Sequence, residues 1–416
     1  MSVKIEATYI DNINHFKWYE NVSLNGDMIT YENIDFEEEV IISADNCLSY
    51  KGKIFKYNNS IPNASKDKPI QKNNIIFKNC NFFNIIIKNI SAKAKKFDII
   101  GGSITNFTIS DCEIFEKFYI NKQYGENKAT VDITKLLIKN VIFYENFKLH
   151  NANVTELTIE DIDFEKHADF FKSIFTKGTL EKDEEASINE SDIGFKAINF
   201  KGLALFGDTE FQKKLIFKYV TFESFSHFRK AKLYEGLDLD YSNIQNEMNF
   251  FDVQELDSDN AKNNTSQETY RIIKHNFEKI GNKIEANKYF ALELEQKKNN
   301  LKRNNLGKLT DYIVFQANWL SSEFATNWLR VLCLICITSL ITVGLLHFAL
   351  LKELFFHPNL FKPDYVVKII NEFFQYLYIF NRIDTAEHPI IFLFNKLLLG
   401  YLYYQFLTSI RKDTRK

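Results

Sequence analysis

Proline and glycine are scarce in this chain, 5 and 14 among 416 residues. Tight hairpins draw on both, so an array built mainly of hairpins is excluded for most of its length. The five cysteines, Cys47, Cys80, Cys112, Cys333 and Cys336, neither form a disulfide framework nor complete a zinc site. Cys333 and Cys336 have C-x-x-C spacing but lie in an apolar run, where cysteine serves as a small hydrophobe. A net charge of −2 excludes general nucleic-acid binding, which shows as a strongly basic domain. No GxSxG, Walker loop or HExxH occurs, so no enzyme, cofactor or bound metal is expected. The N-terminus lacks a basic segment followed by an apolar one, so no cleaved leader is expected and the first three quarters are assigned to the cytoplasm. No long uncharged apolar run precedes residue 331.

What is abundant is aromatic surface, 40 Phe and 20 Tyr, which has to be buried and excludes disorder for most of the chain. Residues 1–70 read as a β-rich N-terminal cap. Ile34-x-Phe36 and Val40-x-Ile42 alternate as strands do, and Asn25-Gly26 suits a tight turn.

From about 71 to 256 a short period takes over. Apolar or small residues stand at i−2 and i, and the pair recurs every five or six positions. The last block centres on Phe200, Leu205, Phe211, Phe217, Phe222, Phe228, Leu233, Leu239, Ile244 and Phe250. An earlier block centres on Ile133, Ile138, Phe143, Leu149, Val154, Ile159, Phe164, Phe170 and Phe175. A third runs through Phe77, Phe82 and Ile87, then Ile99, Ile104, Ile109, Ile114 and Ile120. A 3.6-residue helix cannot keep that period on one face, and a hairpin sheet has period two. A coil that bends after each short segment fits, with stacked turns sharing one core. Residues 121–130 and 176–192 break the period and read as loops leaving the stack.

The stretch resembles the pentapeptide-repeat family, most clearly in ESFSHFRKAKLYEGLDLDYSNI (Glu223–Ile244). The resemblance implies a right-handed, four-sided β-solenoid, here distorted by six-residue steps and bulky i−2 positions. Some members of that family mimic DNA, which requires an acidic rod. Within residues 51–250 only 151–200 is clearly acidic, so DNA mimicry is not expected.

Residues 257–330 read as a helical connector. Asp257–Gln267 is a polar linker, and Thr265-x-x-Glu268 has the form of a capping box. The helix after it aligns Ile273, Phe277, Ile280 and Ile284, with Gly281-Asn282 as a break. Tyr270-Arg271, Phe277, Gly281-Asn282, Ala286, Tyr289-Phe290 and Glu293 resemble the connector between pentapeptide repeats and a two-helix channel-like domain in bacterial proteins. A basic run, Lys297, Lys298, Lys302, Arg303 and Lys308, precedes an amphipathic stretch carrying Trp319 and Trp328, which reads as a helix on the inner leaflet.

Residues 331–416 read as a transmembrane hairpin. Val331–Leu351 carries no formal charge over 21 residues, about 30 Å of helix, and matches the bilayer core. The second span, Pro389–Ile410, contains Asn395 and Lys396; the lysine either snorkels to the outer interface or faces a water-filled pore. Basic residues before the first span and after the second place both termini in the cytoplasm, in an inner membrane. Val366, Ile369, Ile370, Phe373, Leu377 and Phe380 form an amphipathic helix between the spans, assigned to the outer side. The TVGYG filter is absent, so a potassium-selective pore on that loop is excluded. His347, His357 and His388 are taken as interfacial.

The fold class is therefore mixed: solenoid, helical connector and two-span hairpin. Two functions follow. The first is an oligomeric pore or channel-like effector, with Thr338, Thr342, Asn395 and Lys396 lining the pore and Trp319, Trp328, Arg330, Arg411 and Lys412 anchoring it at the interface. The second is a membrane-tethered scaffold that binds a protein partner on the solenoid, the hairpin serving only as anchor. Membrane lipid and further copies of the chain are the expected partners.

Overall fold

In the computed structural model, the described residues are 3–4, 22–25, 28–42, 48–50, 53–55, 74–90, 96–121, 129–179, 189–303, 309–346, 363–380 and 389–414. The chain divides into two units, Met1–Asn276 and Phe277–Lys416.

The first unit contains a 22-stranded sheet that is almost entirely parallel. Its longest ladder runs through Ile34–Ile42, Asn74–Lys88, Phe97–Ile114, Val131–Phe143, Ala152–Phe164, Ile193–Phe200, Leu215–Phe222 and Leu237–Ile244, each paired with the next. Leu215 faces Ile193 on one side and Leu237 on the other, 22 positions away in each direction. Three short antiparallel pairings occur near the start. Val22–Asn25 pairs with Met28–Glu32, and Leu48–Tyr50 pairs with both Ile34–Ile42 and Lys53–Phe55.

The i−2/i period is the burial period. Every centre of the two earlier blocks is buried, from Phe77 to Phe175. In the last block Phe200, Phe211, Phe217, Phe222, Phe228, Leu233, Leu239 and Phe250 are buried. Leu205 and Ile244 are corrections, both only partly buried; at the first the buried pair is Ala204 and Phe206, one position later. Ala204 is in register with Ala168 and Ser226, and Phe206 stacks on Phe170 at 5.0 Å and Phe228 at 4.8 Å. A parallel column of Phe143, Phe164, Phe200 and Phe222 repeats at 5.2 Å, close to the spacing of adjacent strands. Burying one such ring contributes on the order of 2–3 kcal/mol.

The bends between short segments come from backbone of left-handed sign. Asn89, Asp111, Asn140, Asp161, Ala197 and Tyr219 occupy one register position and all have φ between 52° and 60°. Asn and Asp dominate because their short polar side chains tolerate that region. Gly102 (φ 96°) is required outright, since a Cβ there would lie 2.0 Å from the Cys80 carbonyl oxygen. Outside, neighbouring rungs pair lysine with glutamate: Glu160 joins Lys139 and Lys196, and Glu210 joins Lys232 at 2.7 Å. Residues 122–128 and 180–188, where loops are expected, lie outside the described residues, while Thr176–Gly178 end a strand.

The expected polar linker contains a helix, α1 (Asp259–Asn264), capped by Ser258. The helix α2 (Gln267–Lys279) starts on Ser266, whose Oγ accepts the Thr269 N–H at 3.0 Å. Thr265 is therefore not its cap; it closes α1, and its Oγ1 turns back onto the sheet. Ile273 and Phe277 are buried as expected, but Ile280 and Ile284 are exposed. Gly281 (φ 77°) makes the break between α2 and α3 (Lys283–Arg303).

Candidate functional site in the helical unit

The second unit continues with α4 (Leu309–Ser322), α5 (Trp328–Leu346), α6 (Pro363–Leu377) and α7 (Pro389–Thr414). Two helices, α5 and α7, are long and apolar enough to cross a membrane. Only 28 % of each apolar window is buried, which is not the state of a soluble core helix. Leu332, Ile337, Leu340, Leu393, Leu397 and Leu407 are among the residues that point outward.

The inward faces meet in a core of Val331, Ile335, Leu399 and Leu402, spaced at three and four as helix faces require. Polar contacts flank it. At one end Ser322 Oγ lies 3.0 Å from Gln405 Oε1, Ser321 Oγ 3.1 Å from the Tyr401 hydroxyl, and the Lys412 ammonium donates to the Phe324 carbonyl at 3.1 Å. The start of α5 and the end of α7 thus share one end of an antiparallel hairpin. The residues expected to act as anchors lie there: the Trp319 ring has the Lys298 ammonium 3.9 Å above it and the Arg330 guanidinium 5.4 Å away. Arg330 also pairs with Glu323 at 2.6 Å, and Arg411 is exposed.

Trp328 is not on the same helix as Trp319. The chain breaks after α4 through Glu323, Phe324 and Ala325, all with positive φ (49°, 60° and 65°), and Trp328 opens α5. Three left-handed residues in a row cost roughly 1–2 kcal/mol each, a constraint offset by burial of Phe324 and by the Ser322 Oγ that accepts the Ala325 N–H at 2.9 Å.

Farther along the hairpin lie the four residues expected to line a pore. Thr342 donates to Asn395 Oδ1 at 3.0 Å, and both are buried. Thr338 turns its hydroxyl to the Leu334 carbonyl of its own helix at 2.7 Å. Asn395 Nδ2 donates to the Tyr376 carbonyl at 3.1 Å, the Lys396 ammonium donates to the Tyr378 carbonyl, and the Tyr403 hydroxyl donates to the Leu377 carbonyl at 3.1 Å. Three consecutive carbonyls at the end of α6, of the kind a helix leaves without intrahelical partners, are therefore each taken by a side chain of α7. Leu377 packs against the Val331–Leu402 core, Tyr376 lies edge-on to Phe392 at 6.1 Å, and a Cβ on Gly400 would touch Ile379 at 3.6 Å.

The end of α6 thus sits beside residues 392–403 of α7, about 5 to 21 Å along that helix from Pro389 at 1.5 Å per residue. Of its expected apolar stripe, Leu377 meets the core while Ile370 and Phe380 are exposed. Helical periodicity had no means of showing this docking, because the acceptors are backbone oxygens and carry no sequence signal. Sequence reasoning also passed over Tyr403 and Gln405, which look like ordinary interfacial and polar residues of a span. His347, His357 and His388 lie outside the described residues. No family model, curated protein or solved structure matches this chain.

Proposed function

We propose that the chain is an oligomeric membrane protein in which several copies of the α5–α6–α7 module surround a pore, while the parallel β unit senses or scaffolds in the cytoplasm. The observation that carries this reading is the docking of the α6 C-terminus beside the middle of α7. With α5 and α7 across a bilayer whose core is about 30 Å thick, α6 enters to mid-depth. Its last turn and the non-helical Ile379 and Phe380 then lie in the hydrocarbon region. Irregular backbone is tolerated at that depth only where protein covers it or where it lines a water-filled cavity. Phe380 is 79 % exposed in the single chain, an apolar surface that lipid or further copies would cover.

Arg330, Arg411 and Lys412 at one end of the hairpin support a cytoplasmic location for that end and for both termini, in an inner membrane. The β unit reads best as a four-sided solenoid of pentapeptide-repeat type. Four buried pairs follow one another in the 22 residues from Ile193, namely Ile193/Phe195, Ile198/Phe200, Ala204/Phe206 and Thr209/Phe211, and four more in the 22 from Leu215. Its charges are neutralised from rung to rung, which suits stacking and protein contact better than nucleic acid.

The test is the native mass of the detergent-purified protein, joined to conductance in planar bilayers. Several copies per particle and discrete current steps support the pore. A monomer that carries no current would make the hairpin an anchor, and activity surviving its replacement by another anchor would establish the scaffold.

A further inference from the structure

We propose that Lys396 gives the pore a preference for anions, an inference that rests on the pore reading above. Lys396 is seven residues past Pro389, so its Cα lies about 10 Å along α7. Its ammonium donates to the Tyr378 carbonyl and lies 4.9 Å from the Phe392 ring centre. Among the described residues no carboxylate pairs with it. Neither contact removes the charge: a carbonyl and an aromatic face stabilise a cation without neutralising it.

Among the described residues of α5 and α7 no acid compensates it, and the carboxylate of α6 nearest the end of that helix, Glu372, stands six positions before Tyr378. Residues 328–346 and 389–412 hold neither Asp nor Glu. The C-terminal end of α6, which meets Lys396, carries the equivalent of about half a negative charge from the helix dipole. Half a charge against a full one leaves each copy positive at this level. A lysine at such depth is costly unless it reaches water or protein groups, and a water-filled path between copies supplies the first. A ring of lysines around such a path attracts anions and repels cations.

Lys396 here is a selectivity residue, and the informative readout is the sign of the reversal potential. Wild-type protein and the K396Q and K396R variants are reconstituted in planar bilayers under a potassium chloride gradient. Gln keeps a donor for the Tyr378 carbonyl but loses the charge, and Arg keeps both. The expected result is a chloride-over-potassium permeability ratio above one, retained in K396R and lowered several-fold in K396Q. A purely structural role would change the amount of current and leave the ratio alone, and that outcome overturns the proposal. So does a wild type that prefers potassium over chloride, whatever K396Q does to the ratio. Current with an unmoved ratio defeats Lys396 alone, whereas absence of current in all variants defeats the pore reading and this proposal together.

Discussion

The side-chain oxygen of Thr265 accepts the backbone N–H of Leu237 at 3.1 Å, so the residue that closes α1 supplies what the next β rung would have supplied. Thr269 does the same for Leu239 at 2.9 Å, and Asn276 Oδ1 for Met248 at 2.9 Å. An open parallel edge would leave these donors bare and ready to pair with another chain. Thr265→Val with Thr269→Val removes both acceptors and leaves two buried N–H groups without partners. The expected cost is about 1–3 kcal/mol for each. Denaturant unfolding of the full chain followed by the β signal measures it, and a shift under 0.5 kcal/mol for the pair would show that the contacts are incidental.

The register at Ala204 and Phe206 separates two substitutions that look alike in sequence. Phe206→Ala should cost about 3–5 kcal/mol, because the ring is stacked between Phe170 and Phe228. Leu205→Ala, at a partly exposed position, should cost far less. Equal losses in thermal unfolding would contradict the placement of this rung.

Burial pushes the Cys80 thiol up to about 11, the largest cause being its removal from water. At pH 8 only about one molecule in a thousand then carries the thiolate, the form that reacts. Alkylation of Cys80 in the folded protein should be negligible at pH 8 and complete after unfolding, as read by mass spectrometry.

Glu160 illustrates the acid side. The Lys196 hydrogen bond, helped by Lys139, holds its carboxyl below the usual carboxylate range, against a smaller opposing effect of burial. A lowered folded pKa gives stability that is present above the unfolded value of about 4.3 and is lost as pH falls through the folded value. Glu160→Gln should therefore destabilise by under about 1 kcal/mol at pH 7 and by nothing well below pH 4. A penalty that persisted in acid would mean that packing and not charge is responsible.

Asn395 bridges α5 and α6 at once, which makes it the joint of the helical unit. In a background carrying Ile379→Cys and Gly400→Cys, a short bifunctional thiol reagent should link α6 to α7, and adding Asn395→Leu should slow the link several-fold. An unchanged rate would show that the docking of α6 depends on apolar packing alone.

Much of the first unit was legible because burial acts on individual positions. A coil that returns two side chains to its interior on every short segment must write an i−2/i period, so nearly all of the buried centres can be read directly. The slip at Leu205 was not legible, since Leu203/Leu205 and Ala204/Phe206 satisfy the same spacing. Stacking on Phe170 and Phe228 decides between them. Thr265 was misassigned for a related reason: a threonine oxygen serves a helix start and a strand edge equally well, and only the position of the neighbouring rung selects one.

For the helical unit, the sequence by itself determined that two helices are apolar over a membrane's thickness, that a third lies between them, and that their ends are basic. It determined that Asn395 and Lys396 stand within one of them. What those residues bind was decided by tertiary structure alone, because their acceptors, the Tyr376 and Tyr378 carbonyls, belong to backbone that every sequence possesses. A helix end has carbonyls to satisfy wherever it stops, and the direction in which α6 packs on α7 determines which side chains satisfy them.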